Sequence, residues 1–404
     1  MLGWELPPHN SGGLGIACHQ LCRSLAKKGA DIEFILPYTA KHPGVKFMKV
    51  TAATPQDVTT VMKAGMAYES FKYIKKTGEV EYIDLFGQTS IYEQAVGRIA
   101  QYGEYDIIHA HDWMTFRAAL RAKMLTGKPL FLHVHTVEAD RAGREFGGNP
   151  LCREIEATAM MVADQIIAIS ERTKAGIIRE YGIPADKIEV VYNHFDPSMD
   201  LSFQEHRADA PNDYVYLERM RQEGYGIVAN IGRMTIQKGL PNLLHAFKIV
   251  HEHVPKSLLL LAGAGEQRDE LVALAAELGI GDSVVFAGFQ RGKRYGDTFK
   301  VAHTFAMPSF SEPFGIAALE AVAYGTPLVV SKQAGVTEVI RHCLTADHWD
   351  VQDLANKIAA VLQNRALGEE LSNNATREFL ARSWDDSATK LMSVYRRHTE
   401  RVYA

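Results

Sequence analysis

The sequence predicts an α/β protein of two doubly wound, parallel-sheet domains, and three observations predict it. Short, nearly all-apolar runs alternate with helical stretches twice over, the mark of parallel sheets covered on both faces. Glycine-rich or charged turns follow several of these runs, where such sheets carry their ligand loops. The chain has 404 residues, too long for one ordinary core and suited to two domains of about 200.

Taken in order, the first-half strands are DIEFILP from Asp31, YDIIHAHD from Tyr105, LFLHVHT from Leu130, QIIAIS from Gln165 and IEVVYN from Ile188. Before them, residues 14–28 read as a helix with an apolar face of Leu14, Ala17, Cys18, Leu21 and Leu25, closed by Gly29. Only residues 1–4 are left for a first strand, so either that strand is very short or natural residues precede Met1. Residues 41–85 break the rhythm with β-leaning, Lys-rich text and read as an antiparallel excursion at the sheet edge. The first domain is expected to span 1–197, followed by a polar connector at 198–225. A second domain at 226–382 carries GIVANIG, LLLLAG, VVFAG, HTFAMPS and PLVVS as its strands. An amphipathic helix within 383–404 ends the chain and can pack on either domain. Two such sheets place a ligand in a cleft at the carboxyl ends of their strands.

Composition narrows the function classes. Apolar content of 47% and charged content of 23% are those of a soluble globular protein. A net charge of −4 gives no reason to expect nucleic acid or an acidic membrane as partner. Cys18, Cys22, Cys152 and Cys343 show no C-x-x-C spacing, which fits a reducing cytoplasm. The longest apolar run, LLLLAGAG from Leu258, is far short of the ~18 residues of a membrane span. Glu5, Pro7 and Pro8 come too early for a signal peptide.

The most informative stretch is SEPFGIAALEAVAYGTPLVV, which starts at Ser311. Glu312 falls in a loop feeding a helix N-terminus, and Glu320 lies further along that helix. The free N–H groups and positive dipole end around Phe314 and Gly315 suit a phosphate, and the two carboxylates suit sugar hydroxyls. GRMTIQKGL, from Gly232, puts Arg233 and Lys238 in one strand-to-helix loop, two cations poised for a diphosphate. NSGGLG, with Gly12 and Gly13, and AGAGEQRDEL are further glycine turns opening helices. In HAHDW and HVHT, residues i and i+2 share a strand face. The four histidines therefore either converge on a metal, as in a metal-dependent hydrolase, or His109 and His133 are buried and hydrogen-bonded within the strands, leaving His111 and His135 nearer the cleft. VEADRAGREFGGNP is a long loop at a strand end whose Glu138, Asp140, Arg141 and Arg144 either meet sugar hydroxyls or solvate the loop.

These motifs together resemble the retaining glycosyltransferases of the GT-B fold, in the group that includes glycogen synthases and α-glucan synthases. The resemblance covers nearly the whole chain: Gly12-Gly13, HAHDW with His111 and Asp112, His135, GRMTIQKG, and the Glu312/Glu320 pair followed by GVTEVI. It implies that Arg233 and Lys238 grip a donor diphosphate, together with backbone at Phe314 and Gly315, and with Gly12 and Gly13 approaching from the other domain. It also implies that Glu312 meets the donor sugar, that Glu320 binds the ribose and that His135 lies beside the anomeric carbon. The resemblance further implies that the final helix crosses back to the first domain. The implied reaction moves α-glucose from ADP-glucose or UDP-glucose to a glucan or oligosaccharide, with no metal or other cofactor required. The chain carries Asn10-Ser11 where bacterial starch and glycogen synthases carry a lysine. That departure leaves open a mannosyl-, N-acetylglucosaminyl- or disaccharide-forming transferase of the same fold. The oligomeric state, monomer or homo-oligomer, is not legible.

Overall fold

A single residue does the work of a central strand. Leu2 bridges in parallel to both Ile35 and Ala110; its N–H donates to the His109 carbonyl at 2.7 Å and its carbonyl accepts from His111 N–H at 3.0 Å. The computed structural model describes residues 1–9, 12–54, 58–61, 72–75, 80–142, 147–197, 213–290 and 292–399. These residues gather into two units, Met1–His194 with Ser383–Ala404, and Phe195–Arg382.

In chain order the first unit contains α1 (Gly13–Lys27), β1 (Glu33–Leu36), β2 (Lys49–Ala52), β3 (Val58–Val61), β4 (Lys72–Lys75), β5 (Val80–Tyr82) and α2 (Leu85–Tyr102). It continues with β6 (Ile108–His111), α3 (Trp113–Thr126), β7 (Leu130–Val134), α4 (Glu138–Arg141), α5 (Pro150–Val162), β8 (Gln165–Ala168), α6 (Glu171–Tyr181) and β9 (Ile188–Val190). Parallel pairing runs β2–β1, then through Leu2 to β6, β7, β8 and β9. The expected antiparallel excursion therefore divides. β3, β4 and β5 do pair antiparallel, in a sheet of their own, whereas β2 extends the parallel sheet. The Glu33 carboxylate on β1 explains the latter, since it accepts from Lys49 at 2.9 Å and from Thr51 at 2.5 Å on β2. The 137–150 loop also departs from expectation: α4 forms at its start, and Asn149 caps α5 by accepting from Leu151 and Cys152 N–H.

The second unit contains α7 (Asp213–Gln222), β10 (Gly226–Ile231), α8 (Leu240–His253), β11 (Ser257–Ala262), α9 (Arg268–Glu277), β12 (Val284–Gly288), α10 (Gly292–Val301) and β13 (Thr304–Met307). Then follow α11 (Ile316–Ala323), β14 (Leu328–Ser331), β15 (Leu344–Ala346), α12 (Val351–Gln363) and α13 (Arg365–Leu380). Residues 198–212 of the expected connector lie outside the described residues, and α7 packs within this unit. All strands are parallel, in the order β12-β11-β10-β13-β14-β15. Alternation along the strands covers both faces. Val228, Leu259 and Leu261 pack with Leu243, Phe247 and Ile358, while Ile227, Ala229, Leu258 and Leu260 pack with Tyr214, Leu217 and Val301. Each such Val, Leu, Ile or Phe side chain contributes about 1.5–3 kcal/mol by burial. Winding reverses between β10 and β13, the switch point at whose carboxyl ends sheets of this kind carry their ligands.

The last helix, α14 (Trp384–Thr399), belongs to the first unit. Its Trp384 indole N–H donates to the Gln20 side chain on α1, and Ser387 Oγ donates to the Tyr192 carbonyl at 2.7 Å. No described helix is long and apolar enough to cross a membrane.

Candidate active site

The β10 and β13 loops are bound to each other as well as being neighbours. The Phe310 N–H donates to the Gln237 carbonyl at 2.9 Å, and Gln237 Nε2 donates to the Ser311 carbonyl at 2.8 Å. Gly239 makes the approach possible: its φ is +64°, and a Cβ there would sit 2.4 Å from the Pro308 carbonyl oxygen. Across this junction Lys238 Nζ lies 2.6 Å from Glu312 Oε2, which also accepts from Ser309 Oγ at 3.1 Å. Glu312 is buried and Lys238 partly buried, so both are held in place while a face of the pair stays accessible. Arg233 stands exposed at the start of the same β10 loop.

Glu312 is pinned through its backbone too. Its N–H donates to the Gln333 carbonyl at 3.2 Å, and its carbonyl accepts from Gly335 N–H at 2.9 Å. Gly315, at φ +99°, turns the chain into α11, and no side chain caps that helix start. The uncapped N-terminus keeps its partial positive charge for an incoming anion. Phe314 is buried and fixes the turn from below. The glycine turn after β11 is clasped against the β10 loop, with Met234 N–H donating to the Ala264 carbonyl at 2.9 Å.

Glu320 is only 2% exposed, on α11. Its Oε2 accepts from the Tyr295 hydroxyl on α10, a partner that sequence spacing did not indicate. Burial pushes the Glu320 carboxyl up to about 7, while the Tyr295 hydrogen bond favours its ionised form.

In the first unit the four histidines pair off diagonally across β6 and β7. His109 Nε2 and His133 Nδ1 are 3.2 Å apart, His111 Nδ1 and His135 Nε2 are 3.1 Å apart, and Tyr395 Oη on α14 reaches His109 Nδ1 at 2.7 Å. All four are buried, His111 completely. Register explains this, because His111 faces His133 across the ladder inside a sheet covered on both sides. Burial holds His109, His111 and His133 well below the usual imidazole range, and His135 at about 3. Ligand atoms of His109, His111 and His133 lie within 4.8 Å of one another, as do those of Cys18, His111 and His135. Burial keeps the rings neutral and raises the Cys18 thiol well above its usual range.

Asp112, at φ +59°, accepts from the backbone N–H of His135 at 2.7 Å and of Thr136 at 3.3 Å. Burial is the main cause that lifts its carboxyl to about 7. Gly12 N–H donates to the Glu5 carboxylate at 3.2 Å, and Gly13 begins α1. Glu138 and Asp140 are buried in α4. The Glu138 carboxylate meets Arg141 at 2.9 Å and accepts from Asn149 N–H at 2.7 Å, so it braces its own loop. Arg144 lies outside the described residues. Ser309, Gln237, Tyr295, Glu5 and Tyr395 were not singled out from sequence; only Ser309, three residues before Glu312, carried a local signal.

Two family descriptions match the chain: glycosyl transferases group 1 over residues 218–378, and glycosyltransferase family 4 over residues 11–199. An uncharacterised glycosyltransferase of Methanocaldococcus jannaschii is 30% identical over 412 residues, covering 98% of this chain and 97% of that protein. A D-inositol 3-phosphate glycosyltransferase of Salinispora arenicola is 27% identical, covering 96% and 87%. A glycogen synthase of Mycobacterium tuberculosis is 25% identical, covering 98% and 93%. Among solved structures, sucrose-phosphate synthase of Thermosynechococcus elongatus superposes with a TM-score of 0.74 at 20% identity, over 98% of this chain and 97% of that one. Anabaena HepE, solved with UDP-glucose, gives 0.69 at 19% identity, over 97% and 98%. With these likenesses, the two parallel-sheet units are those of a GT-B fold, and the chain belongs to the family 4/5 glycosyltransferases.

Proposed function

We propose that this glycosyltransferase works with retention and moves α-glucose from a nucleotide sugar, ADP-glucose or UDP-glucose, to a hydroxyl of a glucan or oligosaccharide. The observation that carries the reading is the Lys238–Glu312 pair, 2.6 Å apart beside an uncapped helix start at the switch point of a doubly wound sheet. A cation and helix dipole there suit a diphosphate, and a fixed carboxylate suits sugar hydroxyls.

In this scheme the bond from the sugar C1 to the diphosphate oxygen breaks heterolytically. The acceptor oxygen attacks C1 on the same face, and its proton passes to the departing phosphate. Arg233, Lys238 and backbone at Phe314 and Gly315 stabilise the leaving diphosphate, with Gly12 and Gly13 as further contacts. Glu312 orients the sugar, Glu320 takes the ribose, and His135 faces the oxocarbenium-like carbon as a neutral ring. Asp112 orients His135 through its backbone N–H, while His111, Glu138, Asp140 and Arg144 shape the acceptor side. Protein cations hold the diphosphate, so no metal or cofactor is needed. The metal-dependent hydrolase reading falls with the family assignment.

A second acceptor is favoured by the relatives named for D-inositol 3-phosphate, which points to a small phosphorylated cyclitol. Donor hydrolysis and protection against melting, screened across ADP-, UDP- and GDP-sugars, test the donor. ADP-glucose or UDP-glucose is expected to protect best. A stronger effect from GDP-mannose or UDP-N-acetylglucosamine replaces glucose with that sugar, and protection by none removes the nucleotide-sugar reading.

A further inference from the structure

Tyr295 lies on α10, outside every loop discussed above as a ligand contact. Its ring stands edge-on to Phe299 at 5.5 Å and 76°, and Phe299 in turn stacks on Tyr324 at 5.6 Å. α10 sits close to the end of α11, because a Cβ at Gly296 would lie 2.7 Å from the Tyr324 hydroxyl. This packing leaves the Tyr295 hydroxyl aimed at Glu320, and among the described residues it is the one side chain that bonds that carboxylate.

We infer that Tyr295 is a positioning residue for ribose recognition: its hydroxyl anchors Oε2 of Glu320, fixes the carboxylate plane and leaves Oε1 to accept from the donor's ribose hydroxyls. The inference rests on the nucleotide-sugar reading above. It follows from the geometry of a short carboxylate side chain with little room around it. Glu320 is 2% exposed, so a rotamer change has to displace packed neighbours. A buried carboxylate with a single donor also needs that donor to stay ionised, and an ionised group is what accepts from two hydroxyls. Tyr295 thereby sets the direction of the carboxylate that reads the sugar of the nucleotide and opposes the burial that favours its protonated form.

The test is calorimetric binding of UDP and ADP, each beside its 2′,3′-dideoxy analogue, to the full chain and to Tyr295→Phe. Wild type is expected to prefer the ribonucleotide of the base it accepts by about tenfold or more. Tyr295→Phe is expected to weaken that ribonucleotide about three- to tenfold and to leave the dideoxy analogue unchanged. Equal weakening of both, or of neither, overturns the positioning role. Failure of wild type to bind any of the four nucleotides overturns instead the reading on which the inference rests. If Tyr295→Phe does not fold, 3-fluorotyrosine placed at position 295 supplies the readout. Its fluorine resonance is expected to move with the ribonucleotide and not with the dideoxy analogue, and an identical response to both overturns the inference.

Discussion

At the scale of single residues, the site is a balance of charge. Lys238 is already paired with Glu312 at 2.6 Å, so on the proposed reading a donor diphosphate shares that ammonium with a carboxylate. Arg233→Ala removes a bidentate donor and is expected to weaken nucleoside-diphosphate binding by about 1.5–3 kcal/mol. Lys238→Ala is expected to cost at least as much, because it also leaves Glu312 with only the Ser309 hydroxyl beside the incoming phosphate. Calorimetry decides this, and unchanged affinity in both variants removes these residues from the site. Arg233, Lys238 and Glu312 were legible because each occupies a turn directly after an apolar strand, where chemistry and topology coincide. Tyr295 and Glu5 were not, since their partners meet them only through tertiary packing. The histidine motifs were legible in part: i, i+2 spacing gives a shared face, but diagonal pairing across β6 and β7 depends on register.

At the scale of elements, the amphipathic text after 383 shows a helix and the family resemblance sends it to the first domain; packing adds that α14 lies beside α1. Trp384 is 5% exposed and hydrogen-bonded to Gln20. Trp384→Ala is expected to destabilise the first unit by about 3–5 kcal/mol through the lost burial and the cavity. Because the second unit has its own sheet and core, its unfolding transition should stay in place. Denaturant unfolding followed by hydrogen exchange checks this; equal loss in both units contradicts it. Short elements were the ones that sequence missed. β15 is three residues long and α4 is four, too short for periodicity to register. β2 was read as antiparallel because nothing in four residues encodes the direction of a neighbour.

At the scale of the whole molecule, buried titratable groups link stability to pH. His109, His111, His133 and His135 have folded pKa values depressed below the unfolded value of about 6.5, so their neutral burial stabilises above that pH. That contribution is lost progressively as pH falls below it. Asp112 and Glu320 act in the opposite sense, because their folded values near 7 favour the folded state as pH falls from 7 towards the ordinary carboxylate range. Four histidines outweigh two carboxyls, and His19 and His303, each held at about 4 by burial, act in the same direction as those four, so stability is expected to fall as pH drops below 6.5. Urea midpoints at pH 6.5 and 5.5 are expected to differ accordingly. An unchanged or higher midpoint at pH 5.5 contradicts neutral burial of the histidine pairs.

The central claim is that the Glu312 loop serves the sugar being transferred. Turnover of Glu312→Gln, measured with the donor that wild type accepts, tests it most directly. The substitution keeps the shape and one acceptor oxygen but removes the charge that balances a developing oxocarbenium ion. Loss of about 10²–10³ in kcat is expected for one electrostatic contact in the transition state. Nucleoside-diphosphate affinity should be held or tightened, since Lys238 is released from its ion pair. A folded Glu312→Gln variant that turns over at the wild-type rate with every accepted donor would contradict the account.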